Sequence, residues 1–212
     1  MKKKTIFIFL FALLFTSVWA QSEKPLSETD SQKVILALTQ AATSMHTLQC
    51  NFVQEKVSAM LAEPTVAKGS MYYAAPDKLN WKYTEPYAFS LVVNGEKIVK
   101  LTDGKAETLD GKSSRMYQGL VDLIMGSASG KKLFDASVFD VALFDDNEFW
   151  RAEMTPKRRD MKRMFSQLVF RFDKKTNGID CVEFQDAGGD VTSIRFEEMK
   201  LNEAIGNNVF SE

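Results

Sequence analysis

The chain of 212 residues has one histidine, two cysteines and five prolines, and it lacks the common catalytic and nucleotide-binding motifs. A Ser-His-Asp or Cys-His arrangement would have to use His46, and no G-x-S-x-G segment accompanies that histidine. The H-E-x-x-H, C-x-x-C, Walker A and G-x-G-x-x-G patterns are also absent. We therefore predict that the protein is not an enzyme and that it needs neither a metal nor a cofactor.

The chain also lacks a marked excess of positive or negative charge. The chain has 27 lysines and arginines against 28 aspartates and glutamates, a formal net charge of −1. A protein that binds nucleic acid usually carries a basic surface, so this balance gives no sign of a nucleic-acid partner. One local exception is the segment 157–163, KRRDMKR, with five basic residues and one acidic residue. It is either a solvated turn or a docking patch for an acidic partner or an anionic membrane surface. The residues of this possible docking patch are Lys157, Arg158, Arg159, Lys162 and Arg163.

The first twenty residues are typical of a signal peptide. Lys2, Lys3 and Lys4 form a basic start, 5–18 is apolar, and small residues lead up to Ala20. The apolar run is too short to span a membrane comfortably, and no stop-transfer segment follows. We predict cleavage after Ala20, which leaves 21–212 as a single exported, soluble domain. Without a cysteine at the cleavage point, we do not expect this domain to be a lipoprotein itself.

Two cysteines are too few for a disulfide framework. Cys50 and Cys181 lie far apart in sequence, each in a segment with the pattern of a strand. Export would permit a bridge between them. We favour two small, buried core residues instead.

One amphipathic helix and then a long series of strands are predicted. Ser27 is followed by an acid three residues later, which is typical of a helix start, and apolar residues from Val34 to Met45 keep helical spacing to an end near His46. From there the pattern changes to period two, with turn residues such as Asn94-Gly95 and Asp103-Gly104 between segments. The predicted strands are 48–58, 65–75, 78–84, 88–94, 97–102, 105–109, 138–145, 148–155, 165–173, 179–186 and 191–200. We predict a mainly β (α+β) fold, an antiparallel meander that is curved or partly closed.

The stretch 69–95 carries the clearest alternation, with apolar and often aromatic residues on one face and polar residues on the other. Such a face either fills a core or forms the wall of a cavity for a long apolar ligand. The candidate wall residues are Phe52, Leu79, Trp81, Tyr83, Leu91 and Val93.

Two short helical segments are predicted within the strand series, at 115–127 and at 158–164. The first contains glycines that could act as hinges and a methionine that adapts to irregular surroundings. We expect it to cover one face of the sheet as a lid. The candidate lid residues are Met116, Leu120, Leu123 and Ile124.

The order and spacing of several motifs resemble those of the periplasmic outer-membrane lipoprotein carrier proteins, the LolA family. The resemblance extends over nearly the whole chain after the signal peptide. Its pieces are Leu48-x-x-x-Phe52-x-Gln54, Gly69, Pro76-x-x-Leu79-x-Trp81-x-Tyr83-x-x-Pro86, Leu91-Val92-x-Asn94-Gly95 and Asn202-x-x-Ile205 to Phe210.

The resemblance implies a half-open antiparallel β-barrel of about eleven strands with helices as a lid. It implies a periplasmic monomer whose cavity takes the acyl chains of lipoproteins from an inner-membrane transporter and passes them to an outer-membrane acceptor. Two departures bear on gating and on engagement of the transporter. Ala75 stands where better-known members have an arginine, and the chain ends at Glu212, where those members continue into a further strand.

A second reading of the cargo comes from 161–173 and 186–196, which are similar to LolA-like proteins found alongside lipid and aryl-polyene biosynthesis. It predicts a carrier or accessory factor for a non-protein lipid such as an aryl polyene or a glycolipid. Two other classes remain open. An enzyme or accessory factor that acts on a lipid predicts converging polar residues in the cavity, and a scaffold predicts a filled core with no cavity.

Overall fold

The computed structural model describes residues 24–110 and 133–211, and the elements below are those of that part of the chain. A helix α1 (Glu28–Thr43) precedes the strands, a short helix α2 (Arg159–Lys162) lies between two of them, and a 3-10 helix (Asn207–Phe210) closes the chain. The strands are β1 (Thr47–Val57), β2 (Thr65–Ala74), β3 (Lys78–Glu85), β4 (Phe89–Asn94), β5 (Lys97–Thr102), β6 (Lys105–Leu109), β7 (Phe139–Asp146), β8 (Phe149–Pro156), β9 (Phe165–Asp173), β10 (Ile179–Asp186) and β11 (Val191–Leu201).

All eleven strands form one antiparallel sheet in the order β6-β5-β4-β3-β2-β1-β11-β10-β9-β8-β7. Strands that follow each other in sequence are paired, except for β6 and β7, and the pair β1–β11 joins the two halves of this meander. Among the described residues β6 and β7 are the two outer strands, so the sheet is open. The predicted mainly β meander of about eleven strands is confirmed, as is a short helix within 158–164.

Helix α1 begins as its sequence predicts and ends earlier than predicted. The Ser27 side chain accepts a hydrogen bond of 3.2 Å from the backbone N–H of Asp30, which caps the first turn. At the other end the Asn202 side chain forms hydrogen bonds with the backbone. Its Oδ1 accepts from the N–H of His46 at 2.7 Å, and its Nδ2 donates to the carbonyl of Ser44 at 3.2 Å. Because these groups bond to Asn202, the helix stops at Thr43 and the chain turns into β1. None of the described helices is both long and apolar enough to cross a bilayer.

Gly69 lies at a position of β2 where the sheet leaves no room for a side chain. A side chain there would meet the backbone oxygen of Lys82 at 2.0 Å and the ring of Phe52 at 2.5 Å. Phe52 pairs with Gly69, and Gly69 with Tyr83, so the Phe52 ring lies across the glycine and reaches the aromatic residues of β3. This aromatic packing over a glycine needs the absence of a side chain at position 69.

The buried residues form two clusters, one in each half of the sheet. The first contains residues of β1 to β6 and β11, among them Leu48, Met71 and Trp81. The second contains residues of β7 to β9 together with Val34 and Leu38 of α1. The helix therefore packs mainly on the second half, and its last turns extend over the junction of the two halves.

The two cysteines are free and lie on opposite faces of the sheet. Cys50 is buried and pairs with Met71, whose side chain faces the concave side. Cys181 is half-buried and pairs with Arg195, which alternates with the inward-facing Ile194. The structure therefore supports two separate thiols, of which only Cys50 is a buried core residue.

Candidate ligand-binding cavity

A cavity of about 430 Å³ lies between the concave face of the sheet and the last turns of α1. Leu38, Ala41, Ala42 and Met45 form its roof on the helix side. Its walls come from both halves of the sheet and include Leu48, Gln54, Met71, Trp81, Tyr83, Phe89, Leu91, Leu133, Phe134, Phe170, Phe172, Ile179, Val182, Phe184, Ile194, Phe196, Met199 and Leu201. Ser44, Thr176, Asn177 and Gly178 complete the lining. Most of the lining side chains are apolar, so the cavity suits an apolar ligand.

Aromatic rings form one side of this cavity as a connected group. The Phe52 and Trp81 rings are 4.4 Å apart, and the Phe52 and Tyr83 rings meet edge to face at 5.2 Å. Tyr83 continues to Phe89 at 5.9 Å, and Trp81 reaches Phe196 of β11 at 6.3 Å. Aromatic pairs at such distances stabilise each other beyond the area that they bury, so these contacts stabilise the packing on this side of the cavity.

The six predicted wall residues all lie on the concave side, but at two depths. Trp81, Tyr83 and Leu91 line the cavity. Phe52, Leu79 and Val93 belong to the core cluster behind it, where their exposed fractions are 1%, 0% and 3%. Leu79 and Val93 pair directly with each other, and both belong to a cluster with Ile98 and Leu109 of the outer strands β5 and β6.

The part of the wall formed by β9, β10 and α1 was not among the predicted residues. Phe170 and Phe172 on β9 and Val182 and Phe184 on β10 line the cavity, as do the roof residues of α1. Their signal was present, since apolar and polar residues alternate in the β9 segment as clearly as in β3. This alternation does not indicate which strands the curvature of the sheet brings face to face.

Two polar side chains meet in the apolar wall. The Tyr83 hydroxyl donates a hydrogen bond of 2.7 Å to Oε1 of Gln54. Burial raises the pKa of the Tyr83 phenol, so this group is neutral and remains a donor. Within the described ranges, no three histidine, cysteine, aspartate or glutamate side chains come together as metal ligands.

The remaining predicted residues fall elsewhere. Met116, Leu120, Leu123 and Ile124 lie outside the residues that the structure describes. The five basic residues of the possible docking patch are exposed at the end of β8 and around α2. Lys157 forms an ion pair of 2.7 Å with Asp140 on the neighbouring strand β7.

The fold and the cavity place the chain in a class of proteins in which a curved antiparallel sheet and a helix enclose an apolar cavity. The comparison with family models identifies the family. The model "Outer membrane lipoprotein carrier protein LolA" matches residues 43–212, and the chain belongs to this family.

Sequence relatives agree with this assignment, and a solved structure shares the fold. The outer-membrane lipoprotein carrier protein of Methylobacillus flagellatus is 26% identical over 79% of this chain and 78% of the relative. That of Cupriavidus taiwanensis is 24% identical with the same coverage. The crystal structure of the lipoprotein LppX from Mycobacterium tuberculosis matches with a TM-score of 0.53 at 13% identity, covering 85% of this chain and 99% of that one. At this identity the structural likeness speaks for the fold alone.

Proposed function

We propose that this protein is a periplasmic carrier that holds the acyl chains of outer-membrane lipoproteins and moves them from the inner to the outer membrane. The observation that carries the proposal is the apolar cavity of about 430 Å³ beneath α1. Membership of the LolA family and the names of the relatives supply the cargo class. The basic, apolar start of the sequence supports cleavage after Ala20 and export.

The size of the cavity supports a ligand with one long chain inside it. A group the size of a water molecule takes about 30 Å³, so the cavity has room for about fourteen methylene-sized groups. Burial of each methylene contributes about 0.8 kcal/mol, and one chain would gain on the order of 10 kcal/mol. That is enough for stable carriage, and it has to be offset in part when the cargo is released.

Native mass spectrometry of the protein isolated from its own periplasm tests the cargo. A bound lipoprotein is the expected result. A co-purifying polyene or glycolipid would instead support the alternative, a carrier for a non-protein lipid. Protein that is always empty and takes up no lipid in vitro would contradict both.

Handover requires contact with an inner-membrane transporter and an outer-membrane acceptor, and we propose the exposed basic patch around α2 as one docking surface. The double change Arg159→Glu and Lys162→Glu should slow lipoprotein transfer and weaken its dependence on salt concentration, because it removes the positive charge that attracts an acidic partner. Lys105→Glu, an exposed lysine at the turn between β5 and β6, is the matched control. Equal transfer by both variants would exclude this patch as the docking surface.

A further inference from the structure

The concave side of β1 changes from apolar to polar along its length. Leu48, Cys50 and Phe52 are buried, and the next inward positions are Gln54 and Lys56. Both of these side chains are half-buried. The Gln54 end of β1 is therefore able to form hydrogen bonds with a ligand through its side chains, whereas the Leu48 end of the same strand is not.

The neighbouring strands change in the same direction. On β3, Leu79 and Trp81 are followed by Tyr83, and on β11 the inward Phe196 and Ile194 are followed by Thr192, which pairs with Lys56 of β1. Because the strands are in register, these polar side chains gather at the same end of the sheet. The change therefore occurs on three strands, while Phe89 of β4 and Phe184 of β10 remain apolar beside Tyr83 and Thr192.

Gln54 and Tyr83 line the cavity at this end, while the other polar side chains of the lining, Ser44, Thr176 and Asn177, lie towards the opposite end. The tyrosine hydroxyl bonds to Oε1 of Gln54 at 2.7 Å, which leaves the Nε2 group of that amide without a partner among the described residues. Lys56 is already engaged in an ion pair of 2.9 Å with Asp190. The donor on offer to a ligand is thus a neutral amide N–H rather than a free positive charge.

We propose that Gln54 and Tyr83 form a hydrogen-bonding subsite for the carbonyl oxygen of an acyl group, so that the cavity selects acyl esters or amides over plain hydrocarbons. The inference rests on the proposed function, since it concerns which chains the cavity accepts. A hydrocarbon would cover the Gln54 amide and leave its N–H unpaired, which is unfavourable, whereas a carbonyl oxygen satisfies it. Tyr83 fixes the amide by occupying its oxygen, which turns the N–H group towards the ligand.

Displacement of a fluorescent fatty-chain probe from the purified protein tests the subsite. The competitors are methyl palmitate as the ester, N-methylpalmitamide as the amide and heptadecane as the hydrocarbon. Wild-type protein should prefer the carbonyl compounds by about tenfold, a factor typical of one hydrogen bond in an apolar site. Gln54→Leu should abolish that preference while heptadecane binds as well as before or better, and Tyr83→Phe should reduce it.

Two variants on the outer face of the sheet serve as controls. Gln49→Leu removes the same amide from the same strand, and Tyr72→Phe removes a hydroxyl from β2. Both should keep the wild-type preference, and thermal unfolding of all four variants shows whether each is folded. A variant of Gln54 that unfolds is replaced by Gln54→Met, which must give the same loss.

The outcomes distinguish failure of the proposed subsite from failure of the proposed carrier function. If every competitor binds wild-type protein and the Gln54 variants keep the preference, the subsite is wrong and the carrier function stands. If wild-type protein shows no preference, the subsite is likewise wrong. If no competitor binds at all, both the subsite and the carrier function are overturned. A difference between the ester and the amide identifies which acyl linkage the site takes.

Discussion

Filling the cavity from its roof is the most direct test of whether it holds the ligand. Ala42 lies in the last turns of α1 and its side chain lines the cavity. The change Ala42→Phe adds a ring to the space without introducing charge and without touching the aromatic side of the wall. It should weaken binding of a long acyl chain and leave the folded structure intact.

The size of the effect follows from the volumes. A cavity of about 150 Å³ holds one benzene ring. The added ring therefore takes up to about a third of the 430 Å³ and displaces up to about five methylene-sized groups of the ligand. At about 0.8 kcal/mol for each group, binding should weaken by up to about 4 kcal/mol, or roughly a thousandfold.

Titration with a fluorescent acyl-chain probe measures the affinity, and thermal unfolding without ligand measures the stability. Gln40→Phe adds the same side chain at an exposed position of the same helix and should alter neither. An unchanged affinity of the Ala42 variant would refute the assignment of the cavity as the binding site. A marked loss of stability would refute it in a second way, because a ring destabilises a filled core but fits into open space.

Three further changes test the sheet and its surroundings. Gly69→Ala should lower the free energy of unfolding by about 3 kcal/mol and the melting temperature by about 10 °C, because the methyl group collides with backbone, and calorimetry of the variant would show it. Asn202→Ala should cost about 1–2 kcal/mol in urea unfolding, since the end of α1 loses its partners; an unchanged midpoint would contradict that role. Burial raises the pKa of the Cys50 thiol to about 12, so iodoacetamide at pH 8 should label Cys181 first. A disulfide between Cys50 and Cys181, seen under non-reducing conditions, would contradict their positions on opposite faces of the sheet.

The strands could be predicted because their signals are local. In the pair Asp103-Gly104, both residues have positive φ, 51° and 76°, as a tight two-residue hairpin requires. The end of α1 could not be predicted in the same way. It depends on Asn202, which is distant in sequence and becomes a neighbour only because β11 pairs with β1.

The cavity shows the same division between local and distant information. Alternation places Trp81, Tyr83 and Leu91 on one face, and that face is the one that lines the cavity. Alternation cannot say that Leu79 lies beneath this surface, because its depth depends on the curvature of the sheet and on the side chains that cover it. For the same reason Phe170 and Phe172 reach the cavity from a strand whose own pattern says only that one face is apolar.

Both ends of α1 are tied to the sheet, which bears on how a ligand lies in the cavity. The N–H of Leu26, just before the helix, donates to the carbonyl of Leu143 at 2.7 Å, and Asn202 holds the other end. A roof fixed in this way leaves the ends of the cavity as the routes to solvent. Both ends offer polar side chains among the described residues: Gln54 and Tyr83 stand at one, and Thr176 and Asn177 stand at the other beside Met199 and Leu201, which are exposed by 36% and 47%. If the subsite proposed at Gln54 is correct, an amphiphile prefers one direction only because a carbonyl group bonds more favourably to Gln54 than to the polar groups at the Leu201 end.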